Sequence, residues 1–213
     1  MVSANELLLN AERLLSDAQS LFVGGRCRSA ATLTVVALEQ MGAFVEVLTL
    51  EKYPDAEVHM GIFGDRANSH AKRQDALAGH VFNYAQGEFA ARVLAQAYFS
   101  EHGWTNPDGF MPWLLSRSKQ NSVTLTDKQQ QEQRECPDIA TGHLLMHLTR
   151  TNRLKDLREY GLYEHVRQTF SDAEIGQIIE LAAKVRAILA KSYVVPEPFK
   201  MAGVNMPDIS SGP

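Results

Sequence analysis

Two residues of one predicted helix, Arg73 and His80, are of the types that cleave RNA without a metal ion. They stand seven positions apart, or about two helical turns, so they share one helix face. The histidine can move a proton to or from a ribose 2′-hydroxyl or the leaving oxygen, and the arginine can stabilise charge on the phosphate. His70 and Lys72 precede this pair on the same helix. The alternative interpretation is a solvated basic face with His80 in the core.

The most basic stretch of the chain forms a second candidate site, at the end of a later predicted helix. Its cations are Arg150, Arg153, Lys155 and Arg158. Arg158 and His165 repeat the seven-residue offset of the first pair. Cations at the end of a helix also stabilise the helix dipole, which explains Lys155 and Arg158 without any function. The sequence leaves the choice between the two Arg/His pairs open. It predicts RNA contacts by Lys72, Arg150, Arg153 and Lys155.

A metal site has little support in the sequence. His143 and His147 are four residues apart on one predicted helix face, as the two histidines of a zinc site would be. No glutamate stands between them in an HExxH arrangement, and no third ligand follows at motif spacing. Phosphate-binding glycine loops and serine nucleophile elbows do not occur either. We therefore expect no metal ion and no cofactor.

Length and composition predict one domain in the cytoplasm. The chain has 213 residues, of which 45% are hydrophobic, enough for a sizeable core. A formal net charge of −4 gives no general attraction to nucleic acid, so any RNA contact must be a local basic patch. The N-terminus lacks the basic start and apolar segment of a signal peptide. The best apolar stretch, around Thr32–Leu38, is too short to span a membrane, so no membrane association is expected.

Hydrophobic periodicity predicts an all-α protein, an antiparallel bundle of about five main helices. These helices span approximately residues 4–23, 26–53, 69–102, 137–160 and 171–193. Two capping boxes, Ser3 with Glu6 and Ser171 with Glu174, mark helix starts, and Gly24-Gly25 predicts a turn. Inside the third helix, Gly79 and Gly87 indicate a close contact or a break. Residues 1–193 form the predicted domain, with an irregular insertion at 103–139 and a disordered tail at 194–213.

The helical hairpin at the start of the chain resembles that of the AbiV abortive-infection family. Residues 14–43 read LLSDAQSLFVGGRCRSAATLTVVALEQMGA, a helix, a glycine turn and an alanine-rich helix. In that family the second helix ends in an EE-x-GK-like motif, which Glu39, Gln40 and Gly42 match in part. Ala43 replaces the lysine of the motif.

Two further blocks carry the same resemblance. The segment His70-Ala71-Lys72-Arg73 resembles the family's H-K-x-K-like segment, with Ala71 as the departure. Residues 157–163, LREYGLY, resemble its basic-x-x-G-L-Y-V-D block and assign Tyr163 to the motif. His165 stands where the family has an acidic residue. The resemblance covers most of residues 4–192, apart from 103–139.

The AbiV family is similar to the HEPN class of helical domains, and this similarity implies a function. It implies a phage-defence protein that acts on RNA, as a metal-independent ribonuclease or a translation-blocking toxin. It also implies a homodimer and a phage-encoded protein as activator. The alternative is a non-catalytic helical module that senses a phage protein or pairs with another effector. Since His165 departs from the family pattern, the resemblance favours the helix of Arg73 and His80.

Overall fold

The computed structural model describes residues 3–52, 69–103, 109–118, 125–163 and 169–193. All regular structure within these ranges is helical, and no strand occurs there, which confirms the all-α class. The helices are α1 (Ala4–Val23), α2 (Cys27–Lys52), α3 (Ser69–His102), α4 (Phe110–Ser118), α5 (Asp127–Glu135), α6 (Pro137–Arg150), α7 (Arg153–Leu162) and α8 (Asp172–Tyr193). The described ranges thus contain eight helices, and the predicted count of about five is not confirmed.

Helices α1 and α2 form the predicted antiparallel hairpin. At the start of α1, the Glu6 N–H donates to Ser3 Oγ at 3.3 Å, and the Ser3 N–H donates to the Glu6 carboxylate at 2.8 Å. Gly25 has a φ of 74°, which a residue with a Cβ rarely adopts, so the chain reverses there. The Arg26 N–H then closes the turn on the Leu21 carbonyl at 2.8 Å. Both sequence signals at this hairpin are confirmed.

Helix α2 is the central helix of the fold. It packs against α1, α3, α7 and α8, and Val35, Leu38, Met41 and Phe44 are completely buried. Helices α1 and α2 are rich in small and aliphatic residues, which would also suit an interface between two copies of the chain. Much of this apolar surface packs inside one chain instead. The homodimer stays a prediction.

The apolar stretch of α2 is longer than the sequence analysis assumed. Within the part of the chain that the structure describes, Cys27–Thr49 is long and apolar enough to cross a membrane by length and composition. The expectation that no stretch reaches that length is therefore wrong. About two thirds of its most apolar window, 67%, is buried inside the fold, as in the core helix of a domain.

The predicted helix over residues 137–160 is in fact two helices, α6 and α7. Asn152 lies between them in the left-handed conformation, with φ 57° and ψ 15°. Asparagine tolerates this conformation better than most residues, and hydrophobic periodicity does not register a single such residue. The break brings the C-terminal end of α6 next to the N-terminal end of α7.

The described part of the segment 103–139 is helical rather than irregular. Thr126 caps α5, since Thr126 Oγ1 accepts the Gln129 N–H at 3.3 Å, so the glutamine-rich run forms a helix. Helix α4 packs Phe110 and Trp113 on Tyr98 of α3. Helix α3 continues through Gly79 and Gly87, so neither glycine breaks the helix. A Cβ at either position would meet nothing within 4 Å, so neither marks a close contact. The predicted loop at 53–68 and tail at 194–213 lie outside the described residues.

Candidate functional site

A cavity of about 650 Å³ opens where α3, α6 and α7 meet, and we call it the His70 cavity. Its titratable lining residues are His70, Asp75, Arg150, Lys155, Arg158, Glu159 and Tyr163. His70 of the first candidate site and Arg150, Lys155 and Arg158 of the second therefore line one cavity within a single chain. Three arginine and lysine side chains face two carboxylates there, which leaves one formal positive charge before His70 is counted.

The close approach of α2 and α3 brings His70 to a carboxylate. Gly42 on α2 faces the backbone of Arg73 on α3, and a Cβ on Gly42 would stand 2.8 Å from the Arg73 carbonyl carbon. One turn earlier on each helix, Glu39 meets His70. The paired residues advance in the same direction, so α2 and α3 are not antiparallel at this seam. The lack of a side chain at Gly42 is what allows the two backbones to come this close.

Glu39 is a buried carboxylate that joins two of the predicted catalytic residues. Its side chain is only 6% exposed. Its Oε2 lies 2.9 Å from His70 Nδ1, and its Oε1 lies 3.6 Å from Arg158 Nη1. Because a buried carboxylate is costly without positive partners, these two residues stabilise its charge. Oε1 itself accepts no hydrogen bond within the described residues.

The Glu39 contact bears on which nitrogen of the neutral His70 ring carries the hydrogen. A carboxylate only accepts hydrogen bonds, so the 2.9 Å contact between Nδ1 and Oε2 favours the tautomer with its hydrogen on Nδ1. In the neutral ring Nε2 is then the nitrogen that can accept a proton. The His70 side chain is 46% exposed and lines the cavity, so a ligand in the cavity can reach it. Carboxylate, imidazole and cavity thus have the arrangement of an oriented general base.

The position of Arg158 depends on how α7 packs on α2. A Cβ on Gly161 would collide with the Thr32 hydroxyl and stand 2.8 Å from the Arg28 carbonyl oxygen, so only glycine allows this contact. The Arg28 guanidinium lies 4.6 Å from the centre of the Tyr160 ring. It also donates to the Tyr163 carbonyl at 3.5 Å. These contacts fix the C-terminal half of α7 beside the cavity.

Arg73 and His80, the first predicted catalytic pair, contact different helices. Arg73 Nε donates to Glu46 of α2 at 3.3 Å, and burial raises the pKa of Glu46 while Arg73 opposes that rise. His80 Nε2 lies 3.2 Å from the Ser192 hydroxyl of α8. Seven residues of helix separate the pair by about 10 Å along the axis. Neither residue lines the His70 cavity, and their catalytic roles stay predictions.

Of the remaining predicted residues, some line the cavity, some pack elsewhere in the structure and one lies outside the described residues. Arg150 and Lys155 line the cavity. Arg153 does not, because it binds Glu174 at 2.7 Å and its guanidinium lies 3.9 Å from the centre of the Phe170 ring. Lys72 is half-buried on α3 outside the lining. His165 lies outside the described residues, so its pairing with Arg158 stays a prediction.

The feature of the sequence that could have identified Glu39 as a site residue is its position in an apolar helix, not the spacing of a motif. Glu39 is an acidic residue within the apolar stretch of α2, where a lone carboxylate requires a partner. The cavity also contains residues that the sequence did not mark as site residues, namely Ala71, Gln74, Asp75, Thr149, Asn152, Glu159 and Leu162. Gln74, Asp75, Thr149 and Asn152 belong to none of the motif segments, and the helix break at Asn152 separates Thr149 on α6 from Leu162 on α7.

The described residues contain no group of three or more His, Cys, Asp or Glu that could hold a metal ion. His143 and His147 are both exposed on α6, and the ring centres of His143 and Phe82 lie 4.8 Å apart in an edge-on contact.

Comparison of the chain with protein-family models, curated proteins and solved structures found no match.

Proposed function

We propose that the chain is a bacterial phage-defence protein that binds RNA in the His70 cavity and cleaves it without a metal ion. One observation carries the proposal: His70 and Arg158 meet on one buried carboxylate, beside a cavity that Arg150 and Lys155 also line. The phage-defence setting comes from the resemblance to AbiV and HEPN domains. So do the homodimer and the phage-encoded activator that belong to the proposal, whereas the proposed cytoplasmic location comes from the sequence analysis.

The proposed reaction is transfer of a phosphodiester to the neighbouring 2′-hydroxyl. His70 Nε2 accepts the hydroxyl proton while the 2′-oxygen bonds to phosphorus and the bond from phosphorus to the 5′-oxygen breaks. The protonated ring then gives that proton to the leaving 5′-oxygen. The products are a 2′,3′-cyclic phosphate and a free 5′-hydroxyl. Glu39 holds the Nδ1 hydrogen and stabilises the protonated ring, as the acid of a triad does.

The cations of the cavity have a separate role in this reaction. Negative charge on the non-bridging phosphate oxygens increases in the transition state, and Arg158 and Arg150 can donate hydrogen bonds to those oxygens. Lys155 adds a mobile positive charge, since its side chain is 67% exposed. Arg158 contacts Glu39 at 3.6 Å, beyond hydrogen-bond distance, so its donors remain available for a phosphate.

The decisive experiment uses the full chain and labelled single-stranded RNA in the presence of EDTA. We expect cleavage that leaves 2′,3′-cyclic phosphate ends. His70→Ala should reduce the rate by about 10²–10⁴-fold, the usual contribution of a general acid or base. His147→Ala is the matched control, because His147 is exposed on α6 and does not line the cavity. A requirement for a divalent metal ion would contradict the mechanism.

A second pair of variants tests whether the cations of the cavity bind the RNA phosphates. Arg150→Ala removes an exposed cation of the cavity, whereas Lys128→Ala removes one that is 87% exposed on α5. If the cavity binds phosphate, only Arg150→Ala weakens RNA binding. Equal weakening by both variants would indicate attraction by overall charge and would contradict a specific site.

A non-catalytic interaction module is the second candidate function, and one observation favours it. Leu162 and Tyr163 are 50% and 51% exposed beside the cavity, an apolar surface suited to a protein partner. If the chain neither binds nor cleaves RNA while Tyr163→Ala abolishes phage protection, the interaction module becomes the better account.

A further inference from the structure

We infer that the His70 cavity takes one unpaired nucleotide, with its phosphate against Arg150, Lys155 and Arg158 and its base against Tyr163. The inference rests on the proposed RNA-binding function and adds the class of RNA that the cavity selects. Single-stranded RNA is the expected ligand, and a continuous duplex is excluded.

The first observation is the exposed apolar surface beside the cations. Among the described residues, the large hydrophobic side chains that are exposed are Leu9, Val23, Leu144, Leu162 and Tyr163. Leu162 and Tyr163 are the adjacent pair in that set, and both line the cavity. Single exposed apolar residues are ordinary, but an adjacent pair on the wall of a charged cavity indicates a surface that binds something flat and apolar.

The second observation is that Tyr163 is held in place. Its N–H donates to the Glu159 carbonyl at 2.9 Å, and its own carbonyl accepts from Arg28 at 3.5 Å. Its backbone is therefore tied to α7 on one side and to α2 on the other. An aromatic ring on a fixed backbone loses little freedom when a base stacks on it, and such stacking contributes about 1–3 kcal/mol per base.

The third observation is the spacing between the charged and the apolar parts of the cavity. Arg158 and Leu162 are four residues apart on α7, so they lie on one helix face about 6 Å apart along the axis. A nucleotide carries its phosphate and its base at opposite ends of one sugar. The wall formed by α7 presents cations at one end and the exposed apolar pair at the other, in the same order.

Size and charge restrict the ligand to a short unpaired segment. A cavity of about 650 Å³ has the volume of a small-molecule pocket, so a base pair inside a stacked duplex cannot enter it. A base reaches Tyr163 only when it is unstacked and unpaired, as in single-stranded loops and ends. Asp75 and Glu159 also line the cavity and repel further phosphates, which favours one phosphate over a long stretch of backbone.

The test measures binding of labelled 2′-O-methyl oligonucleotides, which cannot undergo the cleavage reaction, by fluorescence anisotropy. The probes are a single strand, the same strand with abasic sites, and a blunt duplex. Tyr163→Ala should weaken single-strand binding by about 5- to 150-fold, the stacking contribution expressed as a ratio of dissociation constants. Tyr163→Phe should bind like the wild type. Val23→Ala, at a position 79% exposed away from the cavity lining, is the matched control.

The outcomes separate this inference from the proposed function. If Arg150→Ala weakens binding while Tyr163→Ala does not, or if abasic and intact strands bind equally, the inference is overturned and the proposed function stands. If no oligonucleotide binds the wild type, the proposed function fails first. If Tyr163→Ala unfolds by circular dichroism, Tyr163→Leu keeps apolar volume without a ring and should show the same loss.

Discussion

Gly42 of α2 and Arg73 of α3 are in backbone contact, and a Cβ on Gly42 would stand 2.8 Å from the Arg73 carbonyl carbon. This contact lies one helical turn from the Glu39–His70 pair on both helices. The distance between α2 and α3 therefore decides whether the histidine reaches its carboxylate. A glycine that looks like a packing detail controls the geometry of the candidate site.

Gly42→Ala should separate the two helices. Overpacking of a tight contact costs about 1–3 kcal/mol, so we expect the free energy of unfolding in urea to fall by that amount. RNA cleavage should fall as well, because His70 moves away from Glu39. Gly79→Ala on α3 is the matched control, since its Cβ meets nothing within 4 Å. Replacing a glycine inside a helix stabilises it by about 0.5–1 kcal/mol, so this control should gain stability. Equal effects of the two substitutions would contradict the role of Gly42.

The helices that the sequence predicted well are those with strong local signals. Capping boxes at Ser3 and Ser171 and the turn at Gly25 act over a few residues, so one sequence suffices to find them. The break at Asn152 was missed because a single left-handed residue leaves hydrophobic periodicity intact.

The candidate site was predicted only in its parts. His70 and Arg158 were selected on separate helices, and Glu39 was selected as a motif residue. Nothing in the spacing within one helix shows which residues of other helices lie opposite. The convergence on Glu39 depends on the Gly42 and Gly161 contacts between helices, and these involve residues distant in sequence.

Glu39→Gln tests whether the buried carboxylate orients His70. The amide keeps the volume of the side chain but removes the charge that stabilises a protonated ring. We expect kcat for RNA cleavage to fall by at least about 10-fold, and by up to ~10⁴-fold if the wrong tautomer dominates. Binding of uncleavable RNA should change little, because Arg150 and Lys155 remain.

Glu46→Gln is the matched control for that substitution. Glu46 is a second buried carboxylate of α2, but it pairs with Arg73 and does not line the cavity. Its substitution should leave kcat near the wild-type value. A loss of kcat in Glu46→Gln with none in Glu39→Gln would move the site toward Arg73.

Glu174 should make the stability of the protein sensitive to acid. Hydrogen bonds from the Ser171 backbone and hydroxyl, with Arg153, lower the pKa of Glu174 from 4.5 to about 2. Because the pKa of Glu174 is lower in the folded protein than in the unfolded chain, the ionised carboxylate stabilises the fold. This contribution is complete above pH 4.5 and is lost as the pH falls toward about 2. The difference in unfolding free energy between wild type and Glu174→Gln should therefore be largest at neutral pH and shrink through that window. A difference that does not vary with pH would contradict the assignment. Ser171→Ala, which removes one of these hydrogen bonds, should shift the loss to higher pH.

Phage protection in cells distinguishes the two possible sites. The family resemblance favours the helix of Arg73 and His80, whereas the geometry brings His70 and Arg158 to Glu39. If the His70 cavity is the site, His70→Gln should abolish protection in a plating assay, since the amide cannot carry the proton. His80→Gln should retain protection, because the glutamine amide can still hydrogen-bond Ser192, the partner of His80 on α8.

Immunoblots and thermal unfolding must show that both histidine variants accumulate and fold. Arg158→Ala removes a proposed phosphate contact, but it also removes one partner of the buried Glu39 carboxylate. Arg150→Ala removes a positive charge of the cavity at an exposed position, so its effect on protection is easier to interpret. Loss of protection in His80→Gln with retention in His70→Gln would return the site to the pair on α3. If all three variants, His70→Gln, Arg150→Ala and His80→Gln, give full protection, neither histidine has a catalytic role. The exposed surface at Leu162 and Tyr163 would then be the functional part of the cavity, and the chain would protect by binding a partner.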